Sequence, residues 1–259
     1  MPSCMHFRPA GADMRAKDLF KALLSPRYLA DLMRFRRQAR AAGLQEPALS
    51  SLRPIVDEAT AQTAFDTHYV YHTGWAARVL ARTRPEHHVD IGSSLFFVAN
   101  ASAFVAMTHY DYRPPAFAMP NAQTGAANLL SLPFADHSIP SLSCMHVIEH
   151  IGLGRYGDAL DAQGDAKACA ELSRVLAPGG MLLFATPVGR PQVQFNAHRI
   201  YSYQQVLRLF PWLDLEEFAL ITDKRDAEGA VFVPDADPAR VARQRYGCGC
   251  FAFRKPKQG

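Results

Sequence analysis

The sequence predicts an α/β fold built on a doubly wound, mostly parallel sheet, with a helical extension before it and an antiparallel strand pair at its end. Short apolar runs alternate with helical segments after Pro85, which is typical of parallel strands joined by crossovers. Helical periodicity dominates the residues before that point. Two strand-like runs near the C-terminus, Leu215–Thr222 and Gly249–Arg254, lack a long helical crossover, which favours antiparallel pairing.

Length and composition fit one α/β domain with an extension. The chain has 259 residues, of which 49% are apolar, so it can bury a full core. We expect residues 1–62 to form a helical N-terminal extension or lid, and residues 63–259 to form the main domain. The formal net charge is only +4 and no long run of lysine or arginine occurs, so no nucleic-acid partner is expected.

Cysteine usage and hydropathy predict a cytoplasmic protein. The five cysteines form no CxxC pair and no regular disulfide framework, which favours a reducing compartment. The first thirty residues lack the apolar core of a signal peptide, and no stretch approaches eighteen apolar residues. We therefore expect no transmembrane segment. The sequence leaves the oligomeric state open.

Two helical regions precede the sheet. Apolar residues recur at helical spacing from Ala16 to Ala42 and are interrupted at Ser25-Pro26, which predicts two short helices with a basic polar face. That face is interpreted as solvated, with an anionic substrate or a membrane surface as the alternative. A further helix is predicted from about Thr63 to Thr83. Its aromatic cluster, interpreted as packing, comprises Tyr69, Tyr71, His72 and Trp75.

The strands follow in order along the rest of the chain. The predicted parallel strands are His88–Ile91, Phe104–His109, Ser141–His146 and Met181–Ala185. An amphipathic helix is predicted over Asp165–Leu176. It is expected to end at Ala177-Pro178-Gly179-Gly180, because proline and glycine stop a helix after its last turn.

The turn after the first strand is the first candidate site. In an open parallel sheet a ligand lies beyond the carboxyl ends of the strands, and the first strand-to-helix turn comes closest to it. Gly92 lies at that turn, where the missing side chain lets backbone amides approach a ligand. Asp90 could accept a hydrogen bond from an ammonium group. A dinucleotide fold would show G-x-G-x-x-G here, whereas this chain has Ser94 where a second glycine is expected.

An acidic residue follows the second strand. Asp111 lies 21 residues after Asp90, the spacing at which a carboxylate can accept from both ribose hydroxyls. This spacing predicts a nucleoside-containing cofactor, with a turn-capping aspartate as the alternative. Only seventeen positions separate Asp111 from Asn128. The second crossover is therefore predicted to be abbreviated or replaced by a proline-containing loop.

The next segments, Asn128–Asp136 and Leu142–Ile151, resemble the third and fourth strand-end motifs of class I S-adenosylmethionine (SAM) methyltransferases. Arg174–Leu182 is similar to the loop and strand that follow in that superfamily. The resemblance implies a Rossmann-like fold and SAM as the cofactor. It implies cofactor contacts from Asp90, Gly92, Ser94, Asp111, Asn128, Leu129 and His146.

Within that superfamily the chain most resembles DUF268, a family of unknown function, from about Tyr69 onward. The residues that carry this resemblance are Gly152–Asp158, Pro187–Pro191, Phe195–Ile200 and Tyr246–Cys250. The resemblance predicts the fold more firmly than the reaction. Families of this kind often act in glycan biosynthesis, so the expected acceptor is a small molecule or a sugar-containing compound.

Methyl transfer from SAM places few demands on the protein, because the sulfonium methyl is already activated and the acceptor has mainly to be aligned. A hydroxyl or amine acceptor benefits from a base, and the catalytic candidates are His198 and His146. Arg190, Asn196 and Arg199 are expected to hold the acceptor, with the arginines binding phosphate or carboxylate groups.

Two alternatives to an active methyltransferase remain open at this stage. Ser94 at the second glycine position favours a catalytically inactive binding or scaffold protein of the same fold. His146 and His150 also satisfy an H-x-x-E-H pattern, which is typical of zinc-dependent hydrolases when both histidines lie on one helix. Because residues 141–145 predict a strand that ends at His146, no metal is assigned.

Overall fold

The computed structural model of the chain describes residues 25–56, 58–223 and 226–257. The chain divides between Asp66 and Thr67 into two units, which are described separately below. The helix predicted before Ser25 lies outside the described residues. Within the described ranges, none of the helices combines the length and the apolar composition needed to cross a bilayer.

In the N-terminal unit, the described residues form a helix, α1 (Pro26–Ala41), and a 3-10 turn at Leu49–Ser51. The helix begins where the hydroxyl of Ser25 accepts a hydrogen bond from a backbone amide of the first turn. Its first residue is proline, whose missing amide proton costs nothing at this position. Arg40 on the basic face pairs with Glu46 at 2.9 Å, so part of that face is neutralised within the unit.

The larger unit contains the sheet. Its strands are β1 (His87–Ile91), β2 (Ala106–Asp111), β3 (Ala122–Ala126), β4 (Ile139–Met145), β5 (Leu176–Val188), β6 (Gln192–Gln194), β7 (His198–Ile200), β8 (Asp214–Ile221), β9 (Phe232–Pro234) and β10 (Gly247–Arg254). Its helices are α2 (Thr67–Thr83), α3 (Leu95–Ala101), α4 (Gly164–Val175), α5 (Tyr203–Leu209) and α6 (Pro238–Arg243). A 3-10 turn lies at Ile148–His150.

The main sheet has the strand order β3-β2-β1-β4-β5-β10-β8-β9. The first five strands in this order are parallel to their neighbours. β10 runs antiparallel to both β5 and β8, and β9 is antiparallel to β8. The predicted fold class is confirmed, including the antiparallel pairing of the two C-terminal strands.

Helix α2 precedes the sheet and buries one face along its whole length. The buried side chains recur every three to four residues, as the 3.6-residue period of an amphipathic helix requires. They are His68, His72, Trp75, Ala76, Val79 and Leu80. The helix starts at Thr67, a few residues after the predicted start, and ends at Thr83 as predicted.

Side chains on the central strands alternate between two apolar cores, one on each face of the sheet. On β10, Phe251 and Phe253 enter the core that includes the α4 residues Leu172 and Val175. Cys250 and Ala252, which alternate with the two phenylalanines, enter the core that includes α2 and α3 residues. This alternation produces the three layers of helix, sheet and helix that the repeated strand–helix pattern predicts.

Two connections differ from a regular doubly wound fold. Residues 112–121 between β2 and β3 form a loop, which confirms the predicted replacement of the second crossover helix. Helix α4 ends at Val175 and continues directly into β5, so Pro178-Gly179-Gly180 belongs to the strand. Gly179 there donates its amide to the carbonyl of Lys255, which extends the ladder with the chain after β10. The helix was predicted to end at Leu176, one residue after its observed end at Val175.

Candidate active site

The carboxyl ends of the parallel strands bring the predicted site residues to one edge of the sheet. β1 to β5 all end at this edge, because they run in the same direction. β10 runs against β5 and therefore begins there, with Cys248 opposite Pro187. The chain leaving β4 stays at the edge, since the amide of His146 donates to the carbonyl of Ala185 at 2.7 Å. His146 and Cys248 thus meet from different strands.

Asp90 is fully buried at the end of β1 and holds the following turn. One carboxylate oxygen accepts from the amide of Ser93 at 3.1 Å and from the ring nitrogen of His109 at 2.7 Å. The other accepts from the hydroxyl of Ser143 on β4. A carboxylate with these three donors has little capacity for an external ammonium group. Asp90 thus acts on the turn itself, and its direct contact with a cofactor stays a prediction.

The Asp90 network continues to His88, which is also fully buried. Because Ser143 donates to Asp90, its oxygen accepts from His88 Nε2 at 2.9 Å. His88 Nδ1 then accepts from the hydroxyl of Ser141 at 2.7 Å. Burial lowers the pKa of His88 to about 4, despite the opposing effect of the nearby Asp90. His88 is therefore neutral at pH 7 and links β1 to β4.

Gly92 has a left-handed backbone, with φ of +70°, which glycine adopts without strain. A Cβ atom here would lie 3.1 Å from two methyl carbons of Val147, so the turn is also tightly packed. Ser94 ends the turn and caps α3, since its hydroxyl accepts from the amide of Phe96. The serine at the second glycine position therefore has a structural function at the helix start.

Asp111 and Asn128 lie at the ends of the next two strands. Asp111 closes β2 and is partly exposed. One of its oxygens accepts from the amide of Arg113 at 2.7 Å and therefore caps the turn, as the alternative interpretation predicts. Asn128 follows β3, is exposed and accepts from the amide of Leu130 through its side-chain oxygen. The side chain of Leu129 is buried in the core, and its contact with a cofactor stays a prediction.

His146 occupies the centre of the edge. It is a non-glycine residue with a φ of +58°, a conformation that requires support from surrounding contacts. Its Nδ1 atom is 2.9 Å from a carboxylate oxygen of Glu149, and its Nε2 atom is 3.3 Å from the Sγ atom of Cys248. Both ring nitrogens are therefore engaged. All three side chains are buried.

Rings from α2 pack against His146. The ring centroids of His72, His68 and Tyr69 lie 4.9, 5.2 and 5.4 Å from that of His146. Tyr246, just before β10, stacks on His68 at 5.0 Å. We call His68, His72, His146 and Cys248 together the histidine cluster.

The charge at the histidine cluster is concentrated on His146 and on Glu149, which contacts the cluster through His146. Burial alone lowers the pKa of His146, but its contacts with Cys248 and the Glu149 carboxylate raise the pKa above its usual range. Burial alone raises the pKa of Glu149, but the hydrogen bond from His146 holds the pKa below its ordinary value. Burial raises the pKa of the Cys248 thiol and lowers that of His72. The ion pair thus lies beside the buried Cys248 side chain and the neutral imidazole of His72.

The H-x-x-E-H segment is not the helix that a zinc hydrolase of that pattern needs. His146 leaves a strand, and residues Ile148–His150 form a 3-10 turn. His150 points its Nδ1 atom at the carbonyl of Ala197 at 2.6 Å. The two histidines therefore do not stand one turn apart on an α-helical face, which removes the structural basis of the hydrolase alternative.

The hairpin of β6 and β7 brings the predicted acceptor residues to the same edge. His198 begins β7 and its ring centroid lies 5.0 Å from that of Tyr246. Its Nε2 atom is buried and has no hydrogen-bond partner among the described residues. Burial lowers the pKa of His198, and the neighbouring His150 lowers it further. Arg190 and Asn196 are exposed on the same connection.

Arg199, which the sequence predicts to hold the acceptor, is paired within the protein. Its side chain is only 7% exposed. The guanidinium lies 3.4 Å from the carboxylate of Asp165 and donates to the carbonyl of Ile151 at 2.7 Å. The charge of Arg199 is therefore paired, and its guanidinium donates hydrogen bonds, within the protein. Arg199 links β7 to α4 and to the loop that follows His150.

Sequence reasoning missed the contribution of α2 and β10 to this edge. The aromatic cluster of α2 was interpreted as packing, although His68 and His72 are separated by four residues and therefore share one helical face. That spacing was the available signal. Cys248 lies in the Tyr246–Cys250 segment that resembles DUF268, but its contact with His146 could not be predicted because His146 is 102 residues away.

The family comparison agrees with this architecture. Residues 135–221 match the model of a family described as "Caenorhabditis protein of unknown function, DUF268". This range extends from the loop before β4 to the end of β8, and it leaves out Tyr246–Cys250. The predicted resemblance to DUF268 is confirmed, over a shorter range than the expected one. No curated protein matches the sequence.

Solved structures decide the fold. The N-methyltransferase NodS from Bradyrhizobium japonicum WM9, in complex with S-adenosyl-L-homocysteine (SAH), matches with a TM-score of 0.53 and 15% identity over 78% of this chain and 93% of NodS. The chain has the class I methyltransferase fold. A chain of the complex between the Haloferax volcanii Trm112 methyltransferase activator and a methyltransferase matches with a TM-score of 0.50 and 18% identity, over 75% of this chain and 92% of that chain. At such identities the methyltransferase likeness is one of fold.

Proposed function

We propose that this chain is a SAM-dependent methyltransferase that acts on a small-molecule or glycan-type acceptor. One observation carries the proposal: a cofactor half and an acceptor half lie along the same edge of one sheet. The cofactor half consists of the Gly92 turn, Asp111 and Asn128. The acceptor half consists of the histidine cluster and His198. A class I methyltransferase needs these two halves side by side, because the methyl group passes directly from one ligand to the other.

The residues of the cofactor half fit SAM. The Gly92 turn presents backbone without a side chain, and the packing of Val147 behind it leaves no room for a Cβ atom on that side. Asp111 is partly exposed and, within the described part of the chain, uses one oxygen for the amide of Arg113. Its other oxygen can accept from ribose hydroxyls. Asn128 is exposed and carries both donor and acceptor groups for adenine.

Asp90 has a positioning function in this proposal. It holds the amide of Ser93 on β1 and receives donors from β2 and β4. The backbone of the turn is therefore fixed relative to three strands. A preorganised turn binds a ligand with less loss of conformational entropy than a flexible one. Ser94 supports the same geometry by capping α3.

Proton removal from the acceptor is assigned to His198. When bound, SAM supplies the activated sulfonium methyl group, so the protein has to align the acceptor and, for a hydroxyl or amine, to take up a proton. The lowered pKa of His198 keeps its imidazole neutral and able to accept a proton at pH 7. Both nitrogens of His146 are engaged by Glu149 and Cys248. We therefore assign His146 a positioning role in place of its predicted catalytic one.

Exposed polar groups beside His198 support a small polar acceptor. Arg190 is exposed and can bind a phosphate or carboxylate group, and Asn196 can hydrogen-bond hydroxyl groups. Arg199 is left out of the acceptor site because it is paired with Asp165. A phosphorylated or acidic sugar combines these features.

Calorimetric titration with SAM and with SAH tests the cofactor half directly. We expect both to bind, and we expect Asp111→Ala to weaken binding about 10- to 100-fold, the effect of losing one to two charge-assisted hydrogen bonds. Asp136→Ala is the matched control, because Asp136 is exposed in the loop before β4, at the opposite edge of the sheet. Absence of binding at millimolar SAM would refute the proposal.

Turnover separates an active enzyme from an inactive binding protein. The purified protein is incubated with SAM and a panel of phosphorylated and acidic sugars, and release of SAH is measured. SAH formation that depends on both the acceptor and His198 supports the proposal. SAM binding without SAH formation for any acceptor class would instead favour the scaffold alternative, for which Ser94 at the second glycine position is the supporting feature.

A further inference from the structure

We propose that His68, His146 and Cys248 bind a zinc ion. One potential ligand atom from each of these three side chains lies within 4.8 Å of the other two, and all three residues are buried. Two imidazoles and one thiolate are ligands that zinc prefers. This inference goes beyond the proposed function, because the metal can bind whether or not the chain transfers methyl groups.

The Nε2 atom of His146 and the Sγ atom of Cys248 are already about as far apart as two atoms that bind the same zinc ion. Tetrahedral zinc bonds nitrogen at about 2.0–2.1 Å and sulfur at about 2.3 Å, which places two such atoms about 3.5 Å apart. The His146 Nε2 and Cys248 Sγ atoms are 3.3 Å apart. A zinc ion can therefore be accommodated between them with little movement of either side chain. When zinc binds, the thiol proton of Cys248 and the Nε2 proton of the charged His146 are both released to solvent.

Glu149 supports the site from behind. A histidine that ligates zinc usually donates its other ring nitrogen to a carboxylate, which fixes the orientation and tautomer of the ring. His146 Nδ1 has this contact with Glu149 at 2.9 Å, and Glu149 itself is 1% exposed. The hydroxyl of Thr186 lies 3.5 Å from the second carboxylate oxygen. His146 is therefore oriented with Nε2 directed at Cys248.

The buried surroundings also fit a cation. His72 packs against His146 with both of its ring nitrogens buried and without hydrogen-bond partners among the described residues. Buried polar groups without partners are uncommon in folded proteins and indicate a missing water, ion or ligand. A doubly charged zinc ion is balanced by the Cys248 thiolate and the Glu149 carboxylate, so the occupied site is close to neutral.

The number of ligands indicates the type of site. Structural zinc sites use four protein ligands, whereas three protein ligands leave a coordination position for water or a substrate atom. The three ligands come from α2, from the end of β4 and from the start of β10. These elements meet at the edge to which we assign the acceptor. The open position therefore suits an oxygen or sulfur ligand at that edge.

Metal analysis of the full-length protein tests the site. The protein is incubated with zinc sulfate, passed through gel filtration and analysed by mass spectrometry of metals. We expect about one zinc per chain for the wild type and for Cys169→Ala, which removes a buried thiol of α4 outside the cluster. Cys248→Ser should lose most of the bound zinc. Glu149→Gln should weaken zinc binding about 10- to 100-fold, measured by competition with a chelating indicator.

Cobalt provides a readout that is independent of metal content. Cobalt(II) in the same site should show a thiolate-to-metal charge-transfer band in the wild type that Cys248→Ser lacks. If circular dichroism shows that Cys248→Ser does not fold, His68→Gln removes a different ligand and is expected to abolish stoichiometric zinc. Zinc below about 0.1 per chain in the wild type, or zinc fully retained by a folded ligand variant, would overturn the proposal. SAM affinity measured on the same samples is a separate result, so either proposal can fail alone.

Discussion

Replacement of Asp90 by asparagine tests how the turn after β1 is held. The carboxylate accepts from the amide of Ser93, from His109 and from the hydroxyl of Ser143, and it is fully buried. The asparagine side chain would keep the shape of the aspartate that it replaces. However, its NH₂ group would face at least one of these donors, because only one oxygen remains to serve them.

The expected loss of unfolding free energy is large for a substitution that conserves shape. A hydrogen bond to a charged group contributes about 1.5–3 kcal/mol, and removal of one partner from a buried ion pair costs about 3–5 kcal/mol. Asparagine keeps part of the network, so we expect Asp90→Asn to cost about 3 kcal/mol. That is a large part of the typical domain stability of about 5–15 kcal/mol.

The loss should depend on pH in a defined direction. Burial alone lowers the pKa of His109, but its hydrogen bond to Asp90 raises the pKa overall. A histidine with a raised pKa adds stability that is fully present below its unfolded pKa of about 6.5 and is lost as the pH rises through its folded value. The difference between wild type and Asp90→Asn should therefore be larger at about pH 6 than at about pH 9.

Urea unfolding followed by circular dichroism at the two pH values provides the measurement. Asp111→Asn is the control, since Asp111 ends the neighbouring strand but is partly exposed; its effect on stability should stay below about 1 kcal/mol. The reasoning is refuted if Asp90→Asn destabilises the protein no more than Asp111→Asn does, or if its effect grows with rising pH.

Two further substitutions probe β1 and the turn that follows it. Gly92→Ala should destabilise the protein by about 1–2 kcal/mol, because alanine is strained at a φ of +70° and its Cβ would crowd Val147. In thermal unfolding, the double variant Gly92→Ala with Val147→Ala should recover the stability lost to the steric clash but not that lost to backbone strain. A Gly92→Ala variant as stable as the wild type would contradict this account. His88→Gln should reduce the loss of stability on acidification. In the folded state the pKa of His88 is lowered to about 4, so this side chain resists protonation, whereas in the unfolded state it takes up a proton below about pH 6.5. Between pH 7 and pH 5 the wild type should lose about 2 kcal/mol more than His88→Gln in urea unfolding, and equal losses would disprove the assignment.

Local patterns in the sequence predicted six strands of the sheet, whereas β3 and β9 were not predicted. The strands around His88–Ile91 and Ser141–Met145 and the helix ending near Val175 were predicted close to their observed bounds. Periodicity depends on neighbouring residues, so it can be recognised without knowledge of the fold. The short spacing between Asp111 and Asn128 likewise predicted the loop that replaces the second crossover helix.

The chemical state of charged side chains could not be predicted in this way. The sequence predicts ligand contacts for Asp90 and Arg199, and in the structure these side chains pair with His109 and with Asp165. A charged residue at a strand end is compatible with either outcome. Only its burial and its distance to other charges decide between them.

The sequence by itself determined that this chain forms a doubly wound α/β sheet with a glycine turn and an acidic residue after its first two strands, because these features follow from local spacing. The position of Asn128 came from the resemblance to class I SAM methyltransferases. The tertiary structure alone decided that His68 of α2, His146 at the end of β4 and Cys248 of β10 meet at that edge. Their meeting depends on strand order, on the antiparallel register of β10 and on the packing of α2, which are contacts between distant segments. No local pattern specifies such contacts, and the candidate metal site arises from them.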